Sequence, residues 1–298
     1  MIESGFLLFD KPAGRTSFAA LGGFRRAFPG ARVGHTGTLD NFATGLLVVV
    51  VGSYSHLTPW FTGLDKVYEA EILFGIETDT LDPSGAVIAK GEIPSREAIE
   101  NELDSFRGSI EQIPPVYSAI HVEGKRSSDL VRKGQHVELE PRRITIHSLE
   151  LKNFQDDRAS ILVHCSSGSY IRSLARDIAA ACGTCAHLSA LRRIKVGAFA
   201  VENALLSPEG ATVADLKKLD TEIAARLGLH TLFIAAGLEK GFSNGAPSVL
   251  RVLGPELPDE GESAAFSSRG EFLGIIASGQ GKGKAAYKMV MPKAEEAQ

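Results

Sequence analysis

Short apolar runs, each bounded by glycine, proline or polar clusters, mark the first two hundred positions. Those at 6–9, 46–51, 68–74, 144–151, 161–164 and 191–196 are rich in β-branched and aromatic residues and predict strands. The run at 46–51 has no polar interruption and stops at Gly52, as in a strand buried on both faces. Positions 17–28, 96–106 and 171–181 carry a helical spacing instead, with Thr16 or Ser17 and Ser95 placed to cap the first two. A further helical connection is predicted over 207–227. Strands and helices do not alternate as βαβ units. The predicted fold is therefore α+β, with a mixed, largely antiparallel sheet flanked by helices.

The pattern changes near residue 230. Gly241, Gly245, Gly254, Gly261, Gly270, Gly274, Gly279, Gly281 and Gly283 punctuate short apolar runs such as 249–253 and 272–276. Many short strands between glycine turns predict a small C-terminal β unit of barrel type. Two domains are expected, 1–230 and 231–298. Within the first, 112–143 is polar and charged and is expected to be a helix-containing loop.

With 298 residues, 44% hydrophobic and 23% charged, the chain has the composition of an ordinary globular protein. Met1 to Phe9 lacks the charge and apolar length of a signal peptide, and no apolar run approaches the roughly 20 residues that span a bilayer. Three cysteines do not make a disulfide framework and fit a reducing compartment, so a cytoplasmic protein is expected. Cys182-Gly183-Thr184-Cys185 with His187 offers three ligands where structural zinc takes four, so no metal is expected there. The net charge of −4 is unfavourable to nucleic acid as a sum, but its distribution matters more. Arg172, Arg176, Arg192, Arg193 and Lys195 face only Asp177 between 164 and 196. Lys125, Arg126, Arg132, Lys133, Arg142 and Arg143 form basic pairs, and Lys282, Lys284, Lys288 and Lys293 an acid-free tail stretch. Such groups suit phosphate contacts.

One segment concentrates the candidate chemistry: Gly34-His35-Thr36-Gly37-Thr38-Leu39-Asp40-Asn41-Phe42-Ala43-Thr44-Gly45-Leu46-Leu47. It holds a single carboxylate, Asp40, in a Gly/Thr-rich loop at the mouth of the buried strand. A rigid scaffold presents a reactive side chain in this way.

This segment resembles the G-H-T-G-x-L-D-x-x-A-T-G-x-L signature of the bacterial tRNA pseudouridine-55 synthases, the TruB family. The resemblance extends, with gaps, over roughly the first two hundred residues. Lys11-Pro12-Ala13-Gly14-Arg15-Thr16-Ser17 is similar to its K-P-x-G-x-T-S turn, and Lys66-Val67-Tyr68-Glu69-Ala70 to its tyrosine-bearing strand. Thr78 to Gly85 is similar to its acidic turn. Gln112-Ile113-Pro114-Pro115-Val116-Tyr117-Ser118-Ala119, Cys165-Ser166-Ser167-Gly168-Ser169-Tyr170-Ile171-Arg172, and Ala186-His187-Leu188 with Leu191-Arg192-Arg193 match further family elements. One departure is Asn41, where the family usually has proline.

The resemblance implies a pseudouridine synthase fold, a thumb at 112–143 that clasps RNA, and a PUA-like RNA-binding C-terminal domain. It implies isomerisation of uridine 55 in the T-arm of tRNA, with Asp40 as catalytic carboxylate and Arg172 as its partner. Tyr68 would stack on the uracil and handle protons, and Tyr170 and Leu191 would line its pocket. His35 would touch the RNA loop, and Lys11 would buttress the active-site loop. Such a reaction oxidises nothing and spends no phosphate, so no cofactor and no metal are expected. A monomer is expected, acting on tRNA without an obligatory protein partner or membrane. Two alternatives stand beside this reading: an RNA-binding protein without turnover, and a guide-RNA-dependent synthase.

Overall fold

The structure is a computed structural model and describes residues 3–122, 124–279 and 285–292. The early apolar runs become strands β1 (Gly5–Lys11), β2 (Val33–His35), β3 (Thr44–Val51) and β4 (Lys66–Phe74). A hairpin of β5 (Ile76–Thr78) and β6 (Val87–Lys90) follows, then β7 (Gly108–Gln112). A second small hairpin, β8 (His121–Val122) with β9 (Lys125–Arg126), precedes β10 (Arg142–Gln155), β11 (Arg158–Cys165), β12 (Ala186–Val196) and β13 (Phe199–Ala200). The main sheet runs β1-β3-β12-β4-β11-β10-β7, with β2 on β3 and β13 on β12. Within this main sheet, as described, only β12 and β3 pair in parallel and the other pairs are antiparallel, in line with the predicted fold class.

The parallel junction has a physical requirement. Gly45 adopts φ +106°, and a Cβ there would collide with the Arg193 backbone, its partner across the ladder. Only glycine brings β3 and β12 this close. β12 starts five residues earlier than the apolar run at 191–196 predicts, because irregularities at Leu188/Ala190 and Arg193/Lys195 break its two-residue alternation.

The helix predicted at 17–28 is two short helices, α1 (Ser17–Ala20) and α2 (Gly22–Ala27), meeting at Leu21, with the Thr16 hydroxyl capping the first. The next is α3 (Thr58–Gly63). The 96–106 helix is α4 (Arg96–Leu103) ending in a 3₁₀ turn, and Ser95 caps it through the Ala98 amide at 3.1 Å. The insertion contains α5 (Ser127–Val131). α6 (Ile171–Ala181) has the predicted bounds and packs Leu174, Ala175, Ile178 and Ala179 on the sheet beside Tyr68, Ile161 and Val163. Of the helical connection predicted at 207–227, only a 3₁₀ turn at Val213–Asp215 and α7 (Thr221–Arg226) are helical.

The C-terminal region is a small β unit, as expected, but not built from strands alone. β14 (His230–Ile234), β15 (Gly261–Ser267), β16 (Phe272–Ser278) and β17 (Ala285–Val290) form one four-stranded sheet. Between β14 and β15 lie α8 (Ala236–Ser243) and α9 (Pro247–Leu253). The apolar run at 249–253 is thus helical. Pro247 opens α9, and Val249 and Leu253, four residues apart, bury one face of it. Among the described residues no helix is long and apolar enough to cross a membrane.

Candidate active site

Asp40 lies in the loop between β2 and β3, and that loop is tied down on both sides. The Ser17 hydroxyl accepts from the Leu39 amide at 2.8 Å and donates to the Leu39 carbonyl at 3.1 Å. The Asn41 carbonyl accepts from the Gly14 amide at 2.8 Å, and the Asp40 carbonyl from the Ala43 amide at 3.2 Å. Lys11, fully buried, donates to the Pro12 and Arg15 carbonyls at 2.8 and 2.9 Å and so holds the adjoining turn. Burial lowers its pKa to about 8, with the Asp40 charge opposing that shift and Arg193 adding to it.

Arg172, on the first turn of α6, fixes the carboxylate. Its Nη2 donates to Asp40 Oδ1 at 3.1 Å, while Nε stands 2.9 Å from Oδ2 as an ion contact without hydrogen-bond alignment. The rest of the guanidinium is held by backbone: Nη1 donates to the Thr80 carbonyl at 2.8 Å and Nη2 to the Tyr117 carbonyl at 3.0 Å. Asp82 Oδ2 sits 3.8 Å from Nη1. Asp82 is itself caged by the Thr80 hydroxyl and by the amide and hydroxyl of Ser84. Arg172 therefore sees two carboxylates and is 4% exposed, whereas the Asp40 side chain is 34% exposed and reachable from solvent. Burial raises the Asp40 pKa above the ordinary value; Arg172 counters this and Asp82 adds to it.

Apolar groups surround this pair. Tyr68, Leu191, Leu39 and Ala43 belong to one buried cluster, with Phe42 packed against it. Tyr68 and Leu191 sit two rungs apart on neighbouring β4 and β12, where Leu191 opposes Ala70 and Arg193 opposes Tyr68. Burial raises the pKa of Tyr68 and of Tyr170, so both remain neutral phenols over the physiological range. Tyr170 stands at the N-terminus of α6, its amide and carbonyl both bonded to the buried Gln112 side chain at 2.8 and 3.1 Å. Asp40, Arg172, Tyr68, Tyr170 and Leu191 thus gather at one place, and Lys11 supports it from below. His35 stands on β2 with its Nδ1 buried and without a hydrogen-bond partner. Burial, then Arg193 and Arg25, lower its pKa, so the ring is neutral at pH 7.

Three positioning residues had no role assigned from sequence. Gln112 aligns Tyr170, Asp82 backs Arg172, and Arg193 clasps the Asp40 loop. Arg193 is 1% exposed and donates to the Leu46 carbonyl at 2.7 Å and the Gly37 carbonyl at 3.2 Å. Its alternation with Leu191 on β12 gives its inward side, but nothing local gives its partners. Other members of the basic stretch are likewise engaged. Arg192 grips Asp10 through two bonds, 3.0 and 2.6 Å, and Arg176 pairs with Asp177 at 2.8 Å. Four of the five basic residues between 164 and 196 are thus bound to groups of the protein itself. The basic residues of the insertion remain outward, with Lys125, Arg126, Lys133 and His121 lining a cleft of about 390 Å³. Lys282, Lys284 and Lys293 lie outside the described residues, and Lys288 is 3.7 Å from Glu262. Cys182, Cys185 and His187 do not converge. The Cys182 thiol faces the Ala98 carbonyl, and His187 Nδ1 lies 2.8 Å from the Ile76 carbonyl.

Comparison with known proteins gives a consistent result. Residues 25–171 match the family described as TruB family pseudouridylate synthase (N terminal domain), and 172–226 the tRNA pseudouridylate synthase B C-terminal domain. A Borreliella burgdorferi protein named tRNA pseudouridine synthase B is 43% identical over 223 residues, 74% of this chain and 79% of its own length. One from Treponema pallidum with the same name is 45% identical over 215 residues, 64% of this chain and 59% of its own. Among solved structures, an H/ACA RNP bound to a substrate RNA containing 2'-deoxyuridine superposes with TM-score 0.71 at 18% identity, covering 98% of this chain and 87% of that one. A Cbf5-Nop10-Gar1 complex gives 0.69 at 20% identity over 98% and 86%. At such identity these two speak to the fold alone. With the family matches spanning the Asp40 loop, β4 and the start of α6, this chain belongs to the TruB family of pseudouridylate synthases.

Proposed function

We propose that this chain is a tRNA pseudouridine synthase that converts uridine 55 of the T-arm to pseudouridine, with Asp40 as the catalytic carboxylate. The observation that carries the reading is the Asp40–Arg172 pair set against the Tyr68–Leu191 wall. The reaction breaks the bond from uracil N1 to ribose C1′, turns the base and rejoins it through C5; the C5 proton is lost and N1 gains one. Atoms balance within one nucleotide, so no cofactor is called for. A carboxylate near C1′ and C2′ serves as nucleophile or base. Arg172 favours its ionised form and aims it. The base must leave its stack to reach Asp40, and Tyr68 offers a flat surface to receive it. Tyr170 and Leu191 close the pocket, His35 meets the RNA loop, and Lys11 keeps the loop rigid.

In this reading residues 1–230 form the catalytic unit and 112–143 the thumb, whose outward Lys125, Arg126 and Lys133 suit phosphates. Residues 231–298 form a PUA-like RNA-binding unit. The protein works as a cytoplasmic monomer without an obligatory partner. The relatives at 43–45% identity bear the name of a tRNA enzyme, which favours bare tRNA over a guided substrate.

The test is pseudouridine mapping of an unmodified tRNA transcript incubated with the purified protein alone. Conversion confined to position 55 is expected. Absence of conversion with tRNA bound would favour the binding-only or the guide-dependent alternative. Asp40→Asn should abolish turnover, by at least about 10³-fold if the carboxylate is the reacting group, while leaving tRNA affinity within a few-fold. Residual activity close to the parent's would remove Asp40 from the chemistry.

A further inference from the structure

A second cluster of chemistry-bearing side chains lies away from Asp40. Asp65, just ahead of β4, stands beside His147 of β10 and His164 of β11; one ligand atom from each lies within 4.8 Å of the others. Asp65 Oδ2 is 3.1 Å from His147 Nε2 and 3.8 Å from His164 Nε2, and the imidazole centroids are 4.6 Å apart. The local fold imposes this meeting. Ile146 pairs with Cys165 and Ser148 with His164, so His147 is the extra residue of a β-bulge and is turned beside His164. The bulge shows in the burial phase of β10: Ile144 and Ile146 point inward before it, Leu149 and Leu151 after it. Asp65 is fixed by its own backbone, whose carbonyl accepts from the Gly197 amide at 2.7 Å, and by Lys66, which donates to the Thr62 and Leu64 carbonyls.

We infer that Asp65, His147 and His164 form a zinc-binding site. Two imidazole nitrogens and one carboxylate oxygen are a common three-ligand set for Zn²⁺, with water in the fourth position. Two ligands about 2.0–2.1 Å from a tetrahedral ion lie ~3.3 Å apart. The two oxygen–nitrogen separations bracket that value and all three ligand atoms lie within 4.8 Å of one another, so rotation of the half-exposed rings can bring them to one ion. One proton can join Asp65 to only one imidazole at a time, whereas one cation satisfies all three. Side-chain exposures of 37–44% leave a path for the ion and its water.

The site is separate from the Asp40 pocket. Neighbouring residues of a strand face opposite sides, so His164 points away from Cys165 and Val163, and Val163 is the partner of Tyr68.

The test uses the full chain, stripped with a chelator and titrated with Zn²⁺ by calorimetry, then with Co²⁺ for the visible bands of a tetrahedral His/carboxylate site. One equivalent of Zn²⁺ at micromolar affinity or better is expected, with a higher melting temperature. His147→Gln, His164→Gln and Asp65→Asn should each weaken binding at least tenfold with the far-UV spectrum unchanged. The double variant Cys182→Ser/Cys185→Ser should bind as the parent does. His147 is an exposed bulge residue, so its variant keeps the test readable if another fails to fold. Binding only at millimolar Zn²⁺, binding that survives His147→Gln, or binding lost with the cysteines would each overturn the assignment.

Discussion

Asp40 ionises against its surroundings. Burial and the charge of Asp82 hold its proton on, and Arg172 and Lys11 pull it off, with a net rise in pKa. In its proposed role Asp40 acts as a carboxylate and is inactive while protonated, so activity should fall on acidification at a pH above the ~3.9 of a free aspartate. Asp82 supplies the handle. Its oxygen accepts from Thr80 and Ser84, bonds that an amide oxygen can retain, so Asp82→Asn removes charge while keeping the cage. The acid limb of kcat/KM should then move to lower pH, because one of the influences raising Asp40 is gone. A profile of kcat/KM against pH reads this. A shift to higher pH would mean that Asp82 serves mainly to hold Arg172 in place.

At the scale of elements, the loop that carries Asp40 is stiffened by others and only partly by itself. Asn41 is the one position where it departs from the usual proline. Its φ is not in the left-handed region, and among the described residues its amide makes no backbone hydrogen bond. Asn41→Pro should therefore gain about 0.4–1 kcal/mol by restricting the unfolded chain, read as a higher urea midpoint with unchanged slope. A loss of stability would show that proline disfavours the backbone of Asp40 before it. The same loop shows what a sequence exposes and what it hides. Asp40, Arg172, Tyr68, Tyr170 and Leu191 were legible because each lies in a contiguous motif whose order is itself the signal. The clasp of Arg193 on Gly37 and Leu46 was not, because a side chain bonding a carbonyl some 150 residues away leaves no local pattern. The strands were legible where alternation was clean and were lost at the irregularities of β12. The run at 249–253 failed for a related reason: five apolar-rich residues fit a strand or one helical face, and only the partner surface decides.

At the scale of the molecule, the change of composition near residue 230 marks a change of topology, but the core does not divide there. Phe6, Leu46, Val48, Tyr54, Leu57 and Phe61 from the first part pack in one cluster with Ala264, Phe266 and Ile275 of the C-terminal sheet. The boundary also carries a polar contact, Trp60 Nε1 donating to Glu262 at 2.6 Å, and an edge-to-face contact of the Tyr54 and Phe272 rings at 6.4 Å. A shared apolar core couples the two sheets, since separating them would expose Phe266 and Ile275, each 0% exposed. The two parts should therefore unfold in one step. Trp60 is the sole tryptophan and sits at this seam, so its fluorescence reports the seam while far-UV circular dichroism reports the whole chain. Coincident urea transitions by the two probes are expected, with one midpoint. A fluorescence transition well below the dichroism transition would show that the C-terminal sheet detaches first. In that case the C-terminal sheet would be free to reorient on a first part that stays folded.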